Sequence, residues 1–264
     1  MPPAQPGPAT ALEGLLRRER WLSGTGLLLV TAACWAWLVP TALDMYGAMD
    51  GPAAWMMRDG WSAGYALAIL AMWLAMMTGM MLPSAAPTLL LYGRICRHSA
   101  IPTATLQVHL FAAGYLLAWG AFSVLATLLQ WALSASALLN PMMELATPQA
   151  AAVVAIAAGI YQWTPAKQRC LAQCRSPAAF ISRHWRPGPA GALQLGLRHG
   201  AWCLGCCWAL MLLLFAGGVM SLAWIAGLTA WVLAEKLLPG GLLLGRAGGG
   251  LLVGWGLLRL LGLS

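Results

Sequence analysis

The sequence predicts an all-α, polytopic membrane helix bundle with about seven transmembrane helices and a cytoplasmic N-terminus. Three observations support this prediction: the composition, the length of the apolar segments and the distribution of positive charge. Hydrophobic residues make up 61% of the chain and charged residues 8%, and the mean hydropathy is +0.74. Soluble domains carry about 25% charged residues. We therefore expect a multi-pass membrane protein.

Seven apolar segments each approach or exceed the roughly 20 residues that a helix needs to cross the bilayer core. They are 22–41, 61–82, 103–133, 149–165, 201–218, 221–238 and 241–262. The last two are separated by little more than Leu238-Pro239-Gly240, so the count lies between six and eight. We treat 22–262 as a single transmembrane helical domain. Residues 1–21, which contain several prolines and arginines, are predicted to be a disordered basic tail.

Arginine and lysine concentrate in alternate loops, and this bias places basic loops in the cytoplasm. Basic residues precede the first segment and follow the second, fourth and sixth, whereas the intervening loops contain Asp44, Asp50 and Glu144. The longest basic loop, 165–198, is therefore predicted to be cytoplasmic. The net charge of +8 lies beside lipid and forms no soluble basic domain. We expect the lipid bilayer and its anionic headgroups as partners, and no nucleic acid.

The second segment contains a run of methionines at helical spacing. Met72, Met76 and Met80 recur every four residues, and Met77 and Met81 form an adjacent row. Methionine is a flexible apolar filler, which is the ordinary explanation for any one of these residues. Thioether sulfur is also a soft ligand suited to Cu(I). With five methionines in ten residues, metal binding explains the run as well as packing does.

The fifth segment contains a second group of soft metal ligands, from His199 through Cys203, Cys206 and Cys207 to Met211. Residues three, four and seven apart share a face of an α-helix. His199, Cys203 and one of the two adjacent cysteines therefore point in roughly one direction. All three thiols can bind one metal only if the helix unwinds locally. Other ligands are expected from other helices.

The predicted topology places the methionines and the thiols at one depth, in the cytoplasmic half of the bilayer. The second segment runs towards the cytoplasm and the fifth runs away from it, and each helical residue advances about 1.5 Å. His109, about two turns into the third segment, and Glu235, at the cytoplasmic end of the sixth, reach the same layer. Alternatively, His109 is a packing residue and Glu235 forms an ion pair with Lys236. We predict a metal pocket shared between helices.

The basic loop holds two further cysteines, Cys170 and Cys174. Their four-residue spacing places both thiols on one face of a short helix, which Pro177 ends or kinks. They are candidates for an uptake or relay site for metal on the cytoplasmic side, or they are simply reduced and buried. The chain has seven cysteines, an odd number, most of them on the cytoplasmic side, where structural disulfides are rare.

Several long motifs resemble a known family. They are Trp73 to Met77, Met80 to Pro87, Gly159 to Pro177, Gly196 to Met211, and Glu235-Lys236. Over roughly 61–240 the chain is similar to the predicted metal-binding integral membrane proteins of bacteria, a family grouped as a domain of unknown function. The resemblance implies a metal-binding, multi-pass protein of the bacterial inner membrane and no defined activity.

The leading hypothesis is a protein that binds a soft transition metal, above all Cu(I), for transport or for delivery to a metalloenzyme. Its partners would be a metallochaperone or the recipient metalloenzyme. Zinc could instead bind through thiolate and imidazole ligands, but it leaves the methionines unexplained.

Three different functions are also consistent with the sequence. The chain could be a haem-handling assembly factor using His199 or His109, a thiol–disulfide exchanger using Cys206 and Cys207, or a non-catalytic structural subunit packed against further membrane helices. No nucleotide-binding loop or catalytic triad is evident, so the sequence favours a binding protein over an enzyme.

Overall fold

The structure is a computed structural model, and it describes residues 8–47, 50–51, 53–56, 60–99, 101 and 103–262. Within these ranges every regular element is an α-helix, apart from an isolated bridge between Leu139 and Leu145. The prediction of an all-α fold is therefore confirmed. The helices are α1 (Pro8–Met45), α2 (Ala53–Met56), α3 (Ala63–His98), α4 (Ala104–Ala135), α5 (Pro148–Gln162), α6 (Pro165–Arg175), α7 (Pro177–His184), α8 (Gly188–Gly217), α9 (Leu222–Leu237) and α10 (Gly241–Leu260).

Five helices are long and apolar enough to cross a membrane, by length and composition. They are the Gly24–Met45 part of α1 together with α3, α4, α8 and α10. Helices α5 and α9 correspond to the predicted segments 149–165 and 221–238, but they have 15 and 16 residues. These lengths fall short of the roughly 20 residues that a perpendicular span needs. The predicted count of seven is therefore not confirmed.

The first helix begins at Pro8, within the tail predicted at 1–21. Residues 1–7 of that tail lie outside the described residues. For them the disordered tail stays a prediction, whereas 8–21 belong to α1.

Helix α3 continues well beyond the predicted end at Leu82, through Pro83 and Pro87 to His98. Proline removes a backbone N–H and frees the carbonyl four residues earlier, which normally ends or kinks a helix. Here the carbonyl that Pro83 frees is that of Gly79, and the indole Nε1 of Trp35 donates to it at 3.1 Å. Neighbouring side chains can satisfy a carbonyl freed in this way, so helices buried among others tolerate proline.

The basic loop at 165–198 is largely helical. Pro165 begins α6, with the Thr164 hydroxyl accepting a hydrogen bond from the Lys167 N–H as its cap. Helix α6 ends at Arg175, and Pro177 occupies the first turn of α7, as the sequence predicts. Helix α8 begins at Gly188, earlier than the predicted start at 201.

Close contact between α4 and α8 fixes the centre of the bundle. A Cβ at Gly196 would lie 2.0 Å from the Phe111 carbonyl oxygen, and a Cβ at Gly114 would lie 2.2 Å from the Leu193 carbonyl oxygen. A Cβ at Gly200 would lie 2.5 Å from the Ala118 Cβ. Small residues at such crossings let two helix backbones approach closely. Phe111 lies against Gly196 and Ala118 against Gly200, so the residue numbers rise together along the two helices and α4 and α8 are parallel.

The bundle has two chemically different ends. At one end, Arg175 of α6 donates to the Pro239 carbonyl at 3.0 Å, and the Tyr92 and Trp185 rings lie 5.5 Å apart. At the other end, the Tyr46 hydroxyl donates to Glu144 at 3.2 Å. We call the first the basic end, since it carries the exposed arginines Arg94, Arg169, Arg183, Arg186, Arg198 and Arg246. The acidic residues Asp44, Asp50 and Glu144 lie towards the opposite end.

Candidate metal centre

Helix α8 places three thiols in the interior of the bundle. Cys203, Cys206 and Cys207 are each 1% exposed. The Cys206 and Cys207 thiols donate to the Cys203 carbonyl at 3.0 and 2.9 Å. Helix α8 is continuous from Gly188 to Gly217, so the local unwinding that would let all three thiols bind one metal is not present.

The methionine run of α3 reaches the thiols through Met81. The Cys207 and Met81 sulfur atoms are 4.0 Å apart. Tyr115 of α4 joins the two helices, since its hydroxyl donates to the Met81 carbonyl at 2.9 Å and lies 3.0 Å from the Cys203 sulfur. We call Cys203, Cys206, Cys207 and Met81 the inner sulfur site. The methionine run of α3 and the thiols of α8 therefore meet at Met81 and Cys207.

A buried lysine contacts the inner sulfur site. The Lys236 ammonium group donates to the Cys203 sulfur at 2.9 Å and to the Ser84 hydroxyl at 2.9 Å. A cation next to a cysteine stabilises the thiolate, which is the form that binds metal. This role was not predicted from the sequence, which suggested Lys236 only as a partner for Glu235. An ionisable residue in an apolar segment was the available signal.

Two thiols of α6 lie against the inner sulfur site. The Cys174 thiol lies one turn beyond Cys170 on the same face of α6. Cys170 lies over Gly205 of α8, where a Cβ would come 2.5 Å from its sulfur. We call Cys170 and Cys174 the outer thiol pair, and both are only partly buried. Hydrogen bonding to Cys203 raises the pKa of the Cys174 thiol, and burial raises the pKa of the Cys170 thiol.

The Glu235 carboxylate belongs to a separate, buried network. The Lys167 ammonium lies 2.7 and 2.8 Å from its two oxygens, and the Trp231 indole donates to it at 2.9 Å. Gln162 also accepts a hydrogen bond from Lys167. The expected ion pair with Lys236 is not formed, because Lys236 is directed to Cys203. The structure thus engages Glu235 with Lys167 and not with sulfur.

The two histidines that the sequence singled out have different environments. His199 is 2% exposed and packs 5.1 Å from the Phe180 ring and 5.7 Å from the Tyr115 ring. Its Nδ1 has no hydrogen-bond partner among the described residues. His109 is exposed on α4, where its Nδ1 lies 2.7 Å from the Thr105 carbonyl oxygen. The structure therefore does not bring His109 to the thiols.

The remaining methionines of the predicted site are part of the hydrophobic core and are fully buried: Met72, Met76, Met77, Met80 and Met211. Within the described parts of the chain, no three His, Cys, Asp or Glu side chains are arranged as a preformed metal site. The Cys206 and Cys207 thiols instead donate to the Cys203 backbone carbonyl, and the Cys203 sulfur lies beside the Tyr115 hydroxyl and accepts a hydrogen bond from Lys236. The sulfur atoms are soft donors, and a metal that binds them must replace these hydrogen bonds.

These observations define a class of protein, an all-helical bundle with five candidate membrane-crossing helices and a buried group of sulfur donors. A family model described as PpoB2, copper chaperone, matches residues 70–259 of the chain. This match covers more than half of the sequence, and the chain belongs to the PpoB2 copper chaperone family. No curated protein and no solved structure matches it. Family membership gives the protein a copper-related role, which agrees with the soft ligands predicted from its sequence.

Proposed function

We propose that this protein is an integral membrane copper chaperone that holds Cu(I) as cargo at the inner sulfur site and delivers it to a metalloenzyme. The observation behind the proposal is the 4.0 Å contact between the buried sulfur atoms of Cys207 on α8 and Met81 on α3, with the buried Cys203 one helical turn before Cys207. Thiolate and thioether sulfur prefer Cu(I) to hard cations. The family description as copper chaperones favours delivery over transport.

Charge balance at the inner sulfur site also supports a monovalent soft cation. Cu(I) bound by two thiolates carries one net negative charge, and Lys236 lies 2.9 Å from one of the sulfur atoms. A buried charge without a partner is strongly unfavourable. The Lys236 ammonium neutralises the complex that Cys203 and Cys207 would form.

The outer surface of the bundle supports membrane insertion. Large apolar side chains are highly exposed on several helices, for example Leu29 at 68%, Leu125 at 64% and Leu251 at 71%. Soluble monomers rarely expose extended apolar patches, whereas lipid solvates them. The exposed arginines of the basic end favour a cytoplasmic location for that end.

Copper retention tests this function. We expect protein purified anaerobically with Cu(I) to retain about one copper per chain. The Cys203→Ser/Cys206→Ser/Cys207→Ser variant should retain less than about a tenth of that amount after gel filtration, because only the partly exposed outer thiol pair then remains, without the buried thiolates that act together with Met81. The matched control is Cys96→Ser, which removes a buried thiol that lies near Gln107. Lack of copper in the parent protein, or equal retention by the triple variant, would reject the proposal.

A further inference from the structure

The thiols around α8 form a gradient of exposure. Cys203, Cys206 and Cys207 are each 1% exposed, whereas Cys170 and Cys174 are partly accessible. The outer thiol pair is carried by α6, at the basic end of the bundle. Cargo arriving there from water therefore meets the sulfur atoms of α6 before those of α8.

The two sets of thiols are close enough for direct exchange of a ligand. Cys174 lies one turn beyond Cys170 on the same face of α6, and Cys203 and Cys206 are the thiols that most affect its pKa. Gly205, which has no side chain, lets the Cys170 sulfur lie directly on α8 between these positions in sequence. The Tyr161 hydroxyl donates to the Gly205 carbonyl and so attaches the end of α5 to the same turn.

Contacts near both ends of helix α6 hold it in this position. Lys167, near its first turn, forms the buried ion pair with Glu235 of α9. Arg175, its last residue, donates to the backbone carbonyls of Glu235 and Pro239. Both ends of α6 are thus attached to α9 at or near Glu235. The residue after Glu235, Lys236, contacts Cys203. The attachments fix the register of the outer thiol pair relative to the inner sulfur site.

We propose that the outer thiol pair is a loading station, from which Cu(I) passes to the inner sulfur site by stepwise ligand exchange. This inference rests on the proposed function and adds the route by which the cargo reaches its site. In each step a Cu–S bond to Cys170 or Cys174 breaks as a bond to Cys203 or Cys206 forms. The incoming thiol loses its proton, and the departing thiolate takes up a proton. Copper stays Cu(I), and no electron is transferred.

The rate of loading separates this route from simple binding. Full-length protein in detergent is mixed with the coloured Cu(I)–bicinchoninate complex under anaerobic conditions, and the loss of colour is followed by stopped flow. We expect Cys170→Ser/Cys174→Ser to load at least about tenfold more slowly than the parent, because Cu(I) must then reach buried thiols directly. Its copper content at equilibrium should equal that of the parent. Cys96→Ser, the matched control, should load at the parental rate.

Two results would overturn the loading station. One is a parental loading rate in the Cys170→Ser/Cys174→Ser variant. The other is loss of equilibrium copper in that variant, which would make the pair part of the permanent site. Neither result affects the proposed function if the parent still binds copper through Cys203, Cys206 and Cys207. Absence of copper from the parent itself would instead reject the proposed function.

Discussion

At the residue scale, the adjacent residues Glu235 and Lys236 have different partners and different roles. Adjacent residues of an α-helix point about 100° apart, since the helix has 3.6 residues per turn. Glu235 therefore faces Lys167, whereas Lys236 faces Cys203 and Ser84. Sequence adjacency suggested that the two charges pair with each other. In the structure Glu235 instead pairs with Lys167 of α6, and Lys236 contacts the inner sulfur site.

Removal of the Lys236 charge should weaken copper binding. We expect Lys236→Met to reduce Cu(I) affinity about tenfold to a hundredfold, because a hydrogen bond to a charged group contributes about 1.5–3 kcal/mol. Lys236→Arg keeps the cation and should recover part of the affinity. Competition with a Cu(I) chelator measures both. Equal affinity in Lys236→Met and the parent would show that the ammonium group does not support the bound complex.

Removal of the Lys167 charge should destabilise the fold. Lys167→Met leaves the Glu235 carboxylate buried without its partner, and breaking a buried ion pair from one side costs about 3–5 kcal/mol. The double variant Lys167→Met/Glu235→Leu removes both charges and should recover most of that loss. Thermal unfolding in detergent compares the two. A single variant as stable as the parent would contradict the buried pair.

At the element scale, the local signals for helix ends were reliable only where no neighbouring helix intervened. Pro177 separates α6 from α7 as predicted. Pro83 does not end α3, because the Trp35 indole satisfies the freed Gly79 carbonyl. The partner comes from α1, and local sequence cannot show which distant side chain will lie there. The same holds for Tyr115, which joins Cys203 to Met81.

The crossing of α4 and α8 should be sensitive to one added methyl group. We expect Gly114→Ala to lower stability by about 1–3 kcal/mol or more, since overpacking of this size forces the backbone to move. The new Cβ would lie 2.2 Å from the Leu193 carbonyl oxygen. Gly120→Ala on the same helix is the matched control, because its Cβ would meet Leu74 at an ordinary 3.7 Å.

Melting temperature in detergent and copper content together report on this crossing. Gly120→Ala should match or slightly exceed the stability of the parent, because alanine is the better helix former. The close packing of α4 against α8 would be contradicted if Gly114→Ala had the same melting temperature as Gly120→Ala and bound the same amount of copper.

At the scale of the whole molecule, the sequence predicted the all-α fold class and sulfur ligands on two helices that come into contact, but not the rotation of each helix. Charge alternation and segment length give the height of a residue along the bundle. They predicted that Met81 and Cys207 lie at the same height, and in the structure their sulfur atoms are 4.0 Å apart. His109 was assigned to the same layer, yet it lies on the exposed side of α4. Which side of a helix faces the site depends on tertiary packing.

The two ends of the bundle should lie on opposite sides of the inner membrane. We expect a cysteine introduced by Ser136→Cys, at the end away from the arginines, to react with a membrane-impermeant maleimide in intact cells. A cysteine introduced by Ser182→Cys, in α7 at the basic end, should react only after lysis, as the positive-inside rule requires. Both serines are exposed. The parent protein, with its natural cysteines, gives the background labelling, and the reverse pattern would invert the proposed orientation.

The central claim is that buried sulfur atoms of α3 and α8 hold Cu(I), and X-ray absorption at the copper edge tests it most directly. For anaerobically loaded protein, we predict Cu(I) with a first shell of sulfur only, supplied by Cys203, Cys207 and Met81. That signal should be lost in Cys203→Ser/Cys206→Ser/Cys207→Ser and retained in Cys96→Ser. A shell dominated by nitrogen or oxygen, or the same spectrum from the triple variant, would contradict the claim.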